Sequence, residues 1–275
     1  MTVRSIRRGT LCLAAGGTAL LLALTACSSS DKSSDATATS GSSSDSASKE
    51  VSGTLVVFAA ASLKESFTTL GDQFKAAYPG TNVVFSFAGS DALAASLTNG
   101  APADVFAAAS PKTMKIVTDA GDGQGTPTTF VRNQLEIATL PGNPKHIASL
   151  KDLTKSGLKV ALCAKTVPCG SAAETALTGS GIKLTPVSYE QDVKSALTKV
   201  ELKEVDASVV YKTDVKAAGG KVTGVDFPES ANAINDYPIV QLTKAPNPNA
   251  AQAFIALVKS AEGQKVLSQA GFLNP

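Results

Sequence analysis

The sequence contains one histidine, His146, and beyond its first residues it has no cluster of lysine or arginine. A lone imidazole, in a polar stretch after Pro141-Gly142-Asn143-Pro144, leaves any serine nucleophile without an evident general base. It also gives the cysteines no convincing zinc-binding company. The absence of a basic patch argues against nucleic acid as a partner. A C-x-x-C redox pair is missing, as is an internal repeat evident by eye. The apolar run Leu11 to Leu24 is broken by Gly16-Gly17 and is too short to cross a bilayer comfortably.

That run has a different meaning in its setting. Arg4, Arg7 and Arg8 precede it and Leu24-Thr25-Ala26-Cys27 closes it. Basic, apolar and small residues in that order predict a lipoprotein signal peptide over 1–26, with lipid on Cys27 anchoring the mature chain to the membrane outside the cytoplasm. Two acyl chains hold a protein firmly without a spanning helix. The alternative is an ordinary transmembrane anchor or a signal cut elsewhere. Ser28 to Lys49 has no large apolar residue, so 27–52 reads as a disordered Ser/Ala-rich tether. Removing the signal removes three arginines and no acid. The net charge then moves from +2 to −1, with 22 basic against 23 acidic residues. Cys12 leaves with the signal. Cys163 and Cys169 remain, in an oxidising compartment, at a spacing that suits a small structural disulfide.

From about residue 53 onward the pattern alternates. Thr54–Ala59, Asn82–Phe87, Asp104–Ala108, Leu135–Thr139, Leu158–Leu162, Ala207–Tyr211 and Tyr237–Leu242 are short apolar runs of strand type. Between them, Leu63, Phe67, Leu70 and Phe74 fall at helical spacing, as do Leu93 and Leu97. Further helices are expected from Ser110-Pro111, near Gly170, near Asp192, and over the last 28 or so residues. This rhythm predicts an α/β protein, and two lobes with a ligand between them are the preferred arrangement.

Several strand-to-helix joints carry small or hydroxyl residues: Ala59-Ala60-Ala61-Ser62, Ala88-Gly89-Ser90, Val167-Pro168-Cys169-Gly170-Ser171, Gln191-Asp192-Val193, and Tyr211 at a strand end. Helix N-termini attract anions through free N–H groups, without lysine or arginine. Ser62, Ser90 and Tyr211 add hydroxyl donors. A donor-only site suits a fully deprotonated oxyanion, whereas hydrogen phosphate would bring a hydrogen in need of an acceptor. Each residue also has a plainer role available: Ser62, Ser90 and Asp192 as helix caps, Tyr211 as a core tyrosine. Gly121-Asp122-Gly123-Gln124-Gly125 reads as a loop, with no strand feeding it, and not as a phosphate cradle.

These same joints resemble the molybdate-binding proteins of ABC transporters. The similar stretches are Val57-Phe58-Ala59-Ala60-Ala61-Ser62-Leu63, Ser86-Phe87-Ala88-Gly89-Ser90, Gly100-Ala101-Pro102-Ala103-Asp104-Val105-Phe106, Val167-Pro168-Cys169-Gly170, Glu190-Gln191-Asp192-Val193 and Val209-Val210-Tyr211, with Tyr237-Pro238 and Gly271-Phe272. The resemblance implies a two-lobed type II periplasmic-binding-protein fold with mixed, mostly parallel sheets and flanking helices, the ligand lying in the interlobe cleft. It places lobe 1 at 53–131 and 239–275 and lobe 2 at 132–238, with crossings near 130–134 and 236–240. It implies an oxyanion held by Ser62 and Ser90 through hydroxyl and amide, by the amides of Cys169 and Val193, and by the Tyr211 hydroxyl. Cys169 stands where the family often has alanine. The implied ligand is molybdate, and tungstate too, with molybdenum bound only as the oxyanion and no cofactor. The implied partner is a membrane permease, the protein acting as a monomer. Sulfate is the alternative ligand. A secreted serine-nucleophile enzyme, or an adhesion or redox protein built on Cys163 and Cys169, are the alternatives of other classes.

Overall fold

A computed structural model describes residues 51–275. The expected signal peptide, Cys12, Cys27 and the expected tether up to Glu50 lie outside the described residues.

The first strand, β1 (Gly53–Ala60), buries Leu55, Val57 and Ala59 completely. The chain leaves β1 through a 3₁₀ turn, Ala61–Leu63, directly into α1 (Lys64–Ala77). Phe67, Leu70, Gly71 and Phe74 form the buried stripe of α1, which is the i, i+3, i+4, i+7 pattern of one helix face. Gly71 is required there: a Cβ would lie 2.6 Å from the Phe85 ring. Next come β2 (Thr81–Ala88), α2 (Ser90–Thr98), β3 (Val105–Ala107) and α3 (Pro111–Asp119). Ser110 caps α3 by accepting from the Thr113 amide, with Pro111 in the first helical position.

β4 (Gly123–Asn133) was not expected. The glycine-rich stretch forms a turn only at its start and then enters this strand. β4 is an edge strand, mostly polar and carrying Pro127, so it shows no apolar alternation to read. It leads through Gln134 into β5 (Leu135–Thr139), which belongs to another sheet. There follow β6 (Val160–Cys163), α4 (Pro168–Gly179), β7 (Ser188–Glu190), α5 (Val193–Glu201), β8 (Ala207–Tyr211), α6 (Lys212–Ala217) and β9 (Thr223–Val225). The chain returns through β10 (Asn235–Leu242) and ends in two helices, α7 (Pro248–Lys259) and α8 (Ala261–Ala270). Ser260 separates them, ending one and capping the other through Gly263 N.

The first sheet has the order β2-β1-β3-β10-β4 and the second β7-β6-β8-β5-β9. The two orders are equivalent. In each, a central strand takes two parallel neighbours (β1 or β6), and two further strands are added antiparallel. Only β10 in the first sheet and β5 in the second run against the rest, and β4 and β9, pairing antiparallel with them, point the same way as the other three, so the sheets are mixed and mostly parallel. β10 belongs wholly to the first sheet, pairing Asn235 with Asn133, so the return begins ahead of the expected residue 239. Each sheet has its own buried core, and Phe106, Met114 and Val240 anchor a third cluster on the other face of the first sheet. Among the described residues no helix is long and apolar enough to cross a membrane.

Candidate functional site

Parallel strands aim their carboxyl ends, and the helices that follow, at one edge of a sheet. Here the two such edges face each other. Ser62 lies in the turn after β1, Ser90 opens α2 after β2, Cys169 is the second residue of α4 after β6, Val193 opens α5 after β7, and Tyr211 ends β8. All five line one cavity of about 10 Å³, together with small residues such as Ala60, Gly89 and Ala109. No lysine, arginine or histidine is among its lining residues. The lobes therefore lie nearly in contact around it, leaving space for about one water.

The plainer roles sort differently. Neither serine caps a helix through its side chain: the turn after β1 is preceded by Ala60 and α2 by Gly89, with no side-chain cap bond at either. Ser62 Oγ instead lies 2.8 Å from Tyr237 Oη, and Ser90 Oγ accepts from Ala109 N at 3.0 Å. Asp192 is a cap. Its Oδ1 accepts from Lys194 N and Ser195 N, and its Oδ2 from Ser195 Oγ. This engagement leaves it poorly placed to serve as a base for either serine. Tyr211 is buried, and its hydroxyl accepts from Asn235 Nδ2 at 2.9 Å. The amides of Ser62, Ser90, Cys169 and Val193 make no hydrogen bond to protein groups among the described residues. They are first-turn N–H groups, which a helix cannot satisfy internally.

Cys163 and Cys169 are joined as a disulfide, tying the end of β6 to the first turn of α4. Cys169 lines the cavity with the bridge in place. Gly170 is needed beside it, because a Cβ there would collide with the Ala164 carbonyl. Gly89 is needed for contact between the lobes: a Cβ would lie 2.5 Å from the Gln191 carbonyl oxygen.

Sequence reasoning missed the polar groups behind the cavity. Tyr237 Oη accepts from Asn133 Nδ2 at 3.3 Å, and Asn133 Nδ2 also donates to Thr213 Oγ1 at 2.8 Å. Burial pushes the Tyr211 phenol well above its ordinary pKa, and does the same to Tyr237, so both keep their protons. Beside them lies an ion cluster. Lys194 Nζ is 2.8 Å from Glu65 Oε2 on α1 and 3.0 Å from Asp214 Oδ1 on α6. Burial pushes the Asp214 carboxyl up to about 6, against the pull of Lys194. Burial works to lower the Lys194 pKa, but Asp214 and Glu65 outweigh it and hold it above the ordinary value. Asn133 stands between Arg132 and Gln134 and Asn235 between Ile234 and Asp236, so neither stood out in the sequence. Among the described residues no group of three or more His, Cys, Asp or Glu is arranged to hold a metal ion.

Two matched lobes around a small cavity that has hydroxyls, helix N-termini and no cationic side chain in its lining, with the Asp192 carboxylate at its edge occupied in capping, fit a solute receptor, and the chain belongs to the bacterial extracellular solute-binding proteins, whose family pattern it matches over residues 55–273. Within that class, the molybdate-binding protein ModA of Mycobacterium tuberculosis H37Rv is 47% identical over 222 residues, covering 81% of this chain and 85% of the relative. The Escherichia coli K12 protein of the same name is 30% identical over 230 residues, 80% of this chain and 89% of that one. The solved periplasmic molybdate-binding protein of Azotobacter vinelandii superposes with a TM-score of 0.71 at 22% identity, covering 80% of this chain and 99% of that one. At that identity the likeness speaks for the two-lobed fold alone.

Proposed function

We propose that this protein is an extracytoplasmic receptor for molybdate, and for tungstate, held at the membrane by lipid on Cys27 and delivering its anion to the permease of an ABC importer. The observation that carries the reading is the cavity. Ser62, Ser90, Cys169, Val193 and Tyr211 line one small space with no lysine, arginine or histidine in its lining, and we assign the hydroxyls of Ser62, Ser90 and Tyr211 and the amides of Cys169 and Val193 as its donors. Such a donor set neutralises a bare tetrahedral dianion through partial charges and helix dipoles. The relatives named for molybdate binding support the choice of ligand. Closure of the lobe bearing β1–β4 and β10 onto the lobe bearing β5–β9 buries the ion and presents both lobes to the permease. The protein does no chemistry on its ligand, needs no cofactor and works as a monomer.

Thermal melting of the purified protein with molybdate, tungstate, sulfate and phosphate tests this. Ligand at a hundredfold its dissociation constant stabilises by about 2.7 kcal/mol, a shift that melting curves resolve. Molybdate and tungstate are expected to raise the melting temperature, and indifference to every oxyanion would defeat the reading. Ser62→Ala and Tyr211→Phe are each expected to weaken molybdate binding roughly ten- to a hundredfold, the loss of one hydrogen bond to a charged group. Unchanged affinity in both would remove them from the site.

A further inference from the structure

Gly89 is the residue before α2, and it holds an ordinary negative φ that any residue adopts. Its conformation does not call for glycine, and serine, asparagine or aspartate would cap the helix at least as well. What glycine supplies is a missing side chain at the seam between the lobes. A Cβ would lie 2.5 Å from the Gln191 carbonyl oxygen and 3.6 Å from Val167 Cγ1, both on the opposite lobe. The third neighbour, Asp91 Oδ1 at 2.7 Å, ends a side chain of the same lobe and can swing aside. The Gln191 carbonyl is main chain and is held from both directions. Glu190 before it pairs with Cys163 and accepts from Ala164 N at 2.8 Å, and Asp192 after it caps α5.

Position along the chain gives this contact its meaning. Gly89 adjoins Ser90, Gln191 lies two residues before Val193, and Val167 lies two residues before Cys169. Gly89 and Val167 line the cavity themselves. The lobes therefore meet beside one assigned donor of the first lobe and two of the second. The geometry points to Gly89 as the stop that sets how far the lobes close, a positioning residue that lets Ser90 reach the ion together with the amides of Cys169 and Val193. This inference rests on the receptor reading, and deepens it by assigning the tightness of the grip to a residue that offers the ion no side chain. A carbon atom needs about 3.4 Å to sit against its neighbour, so a side chain at position 89 holds the seam open by most of an ångström. Hydrogen bonds of about 2.7–3.2 Å leave their range on such a stretch.

The test measures molybdate binding by the full protein and by Gly89→Ser, Gly89→Ala and Gly179→Ala. Serine is the better helix cap, so Gly89→Ser adds the Cβ without weakening α2. Gly89→Ala adds the Cβ alone and separates its effect from that of the serine hydroxyl. Gly179 is the exposed last residue of α4, with nothing within 4 Å of an added Cβ, and is the control. Affinity is read by calorimetry, dissociation by a chase of radiolabelled molybdate, and the fold by melting without ligand. Both variants at position 89 are expected to release molybdate at least tenfold faster, with association within twofold of the parent. Parted lobes accommodate the added carbon, so the unliganded melting temperature should be no lower in Gly89→Ser. Gly179→Ala should match the parent in dissociation. Unchanged dissociation in both variants at position 89 means that the lobes close past the added carbon, and overturns the assignment. Slower association with unchanged dissociation, or a loss of unliganded stability in Gly89→Ser, overturns it as well and leaves the receptor intact. A parent protein that binds no molybdate overturns both.

Discussion

The two lobes share a strand order yet are filled in different ways. The lobe built on β1 packs aromatic rings: Phe67 has Phe85, Phe130 and Phe254 around it with centroids 5.7 to 6.4 Å away, and Phe74 meets Phe254 edge-on at 5.6 Å. The lobe built on β6 is filled mainly by alanine, valine, leucine and isoleucine. It adds a disulfide and a buried carboxylate–lysine contact that the other lobe does not use at its core. Large rings bury much area per residue, while small aliphatic side chains bury less and leave more of the load to a cross-link. One topology thus reaches the same end, two rigid rims around a cavity, through two kinds of packing.

The sharpest way to break this contrast is Phe67→Ala. Phe67 is fully buried among its ring partners. Its truncation is expected to cost about 3–5 kcal/mol in urea denaturation, with molybdate affinity of the folded fraction little changed. A loss below about 1 kcal/mol would mean that the ring cluster contributes little beyond shape.

A smaller effect belongs to the β6 lobe and depends on pH. The folded chain holds the Asp214 proton up to about pH 6, whereas an ordinary carboxyl loses it near 3.8. The folded state therefore binds more protons between those values, and stability falls as pH rises from about 4 through about 6. The groups facing Asp214 are Lys194 on α5, Glu65 on α1 and the Tyr211 amide on β8. Denaturation midpoints between pH 4 and 7.5 should show this decline, on the order of 2–3 kcal/mol, and Asp214→Asn should flatten it. An equal slope in both proteins would place the proton elsewhere.

The smallest effect concerns the cross-link. Cys163 and Cys169 are six residues apart, so replacing both with serine is expected to cost about 2 kcal/mol, the entropy of closing a short loop. The reference is the oxidised parent protein in the same urea titration. A larger loss would show that the bridge holds the first turn of α4 in place and does more than restrict the unfolded chain.

The sequence made some of this legible and some not, for physical reasons. β1, β6 and β8 are buried runs of apolar residues, which stand out against polar joints. The five cavity residues lie at or shortly after strand ends, where a parallel sheet collects its helix N-termini, and the resemblance to the molybdate-binding family singled them out among the residues of those joints. β4 was hidden, since the first seven residues of this edge strand are glycine, glutamine, threonine and proline, and the apolar pair Phe130-Val131 comes only near its end, so it carries no periodicity in hydrophobicity. Asn235 was hidden for another reason. Its partner Ala109 is 126 residues away, and only the return of β10 alongside β3 brings the two together.

Cys169 and Val193 face the cavity from the first turns of α4 and α5, where the group on offer is the peptide N–H. That group belongs to the polymer and not to the codon, so every residue except proline supplies it. In the proposed site the side chains at these two places are free to differ in chemistry, within the space that their burial allows, without changing the donor offered to the ion. That freedom lets position 169 serve a sulfur link and line the cavity at once.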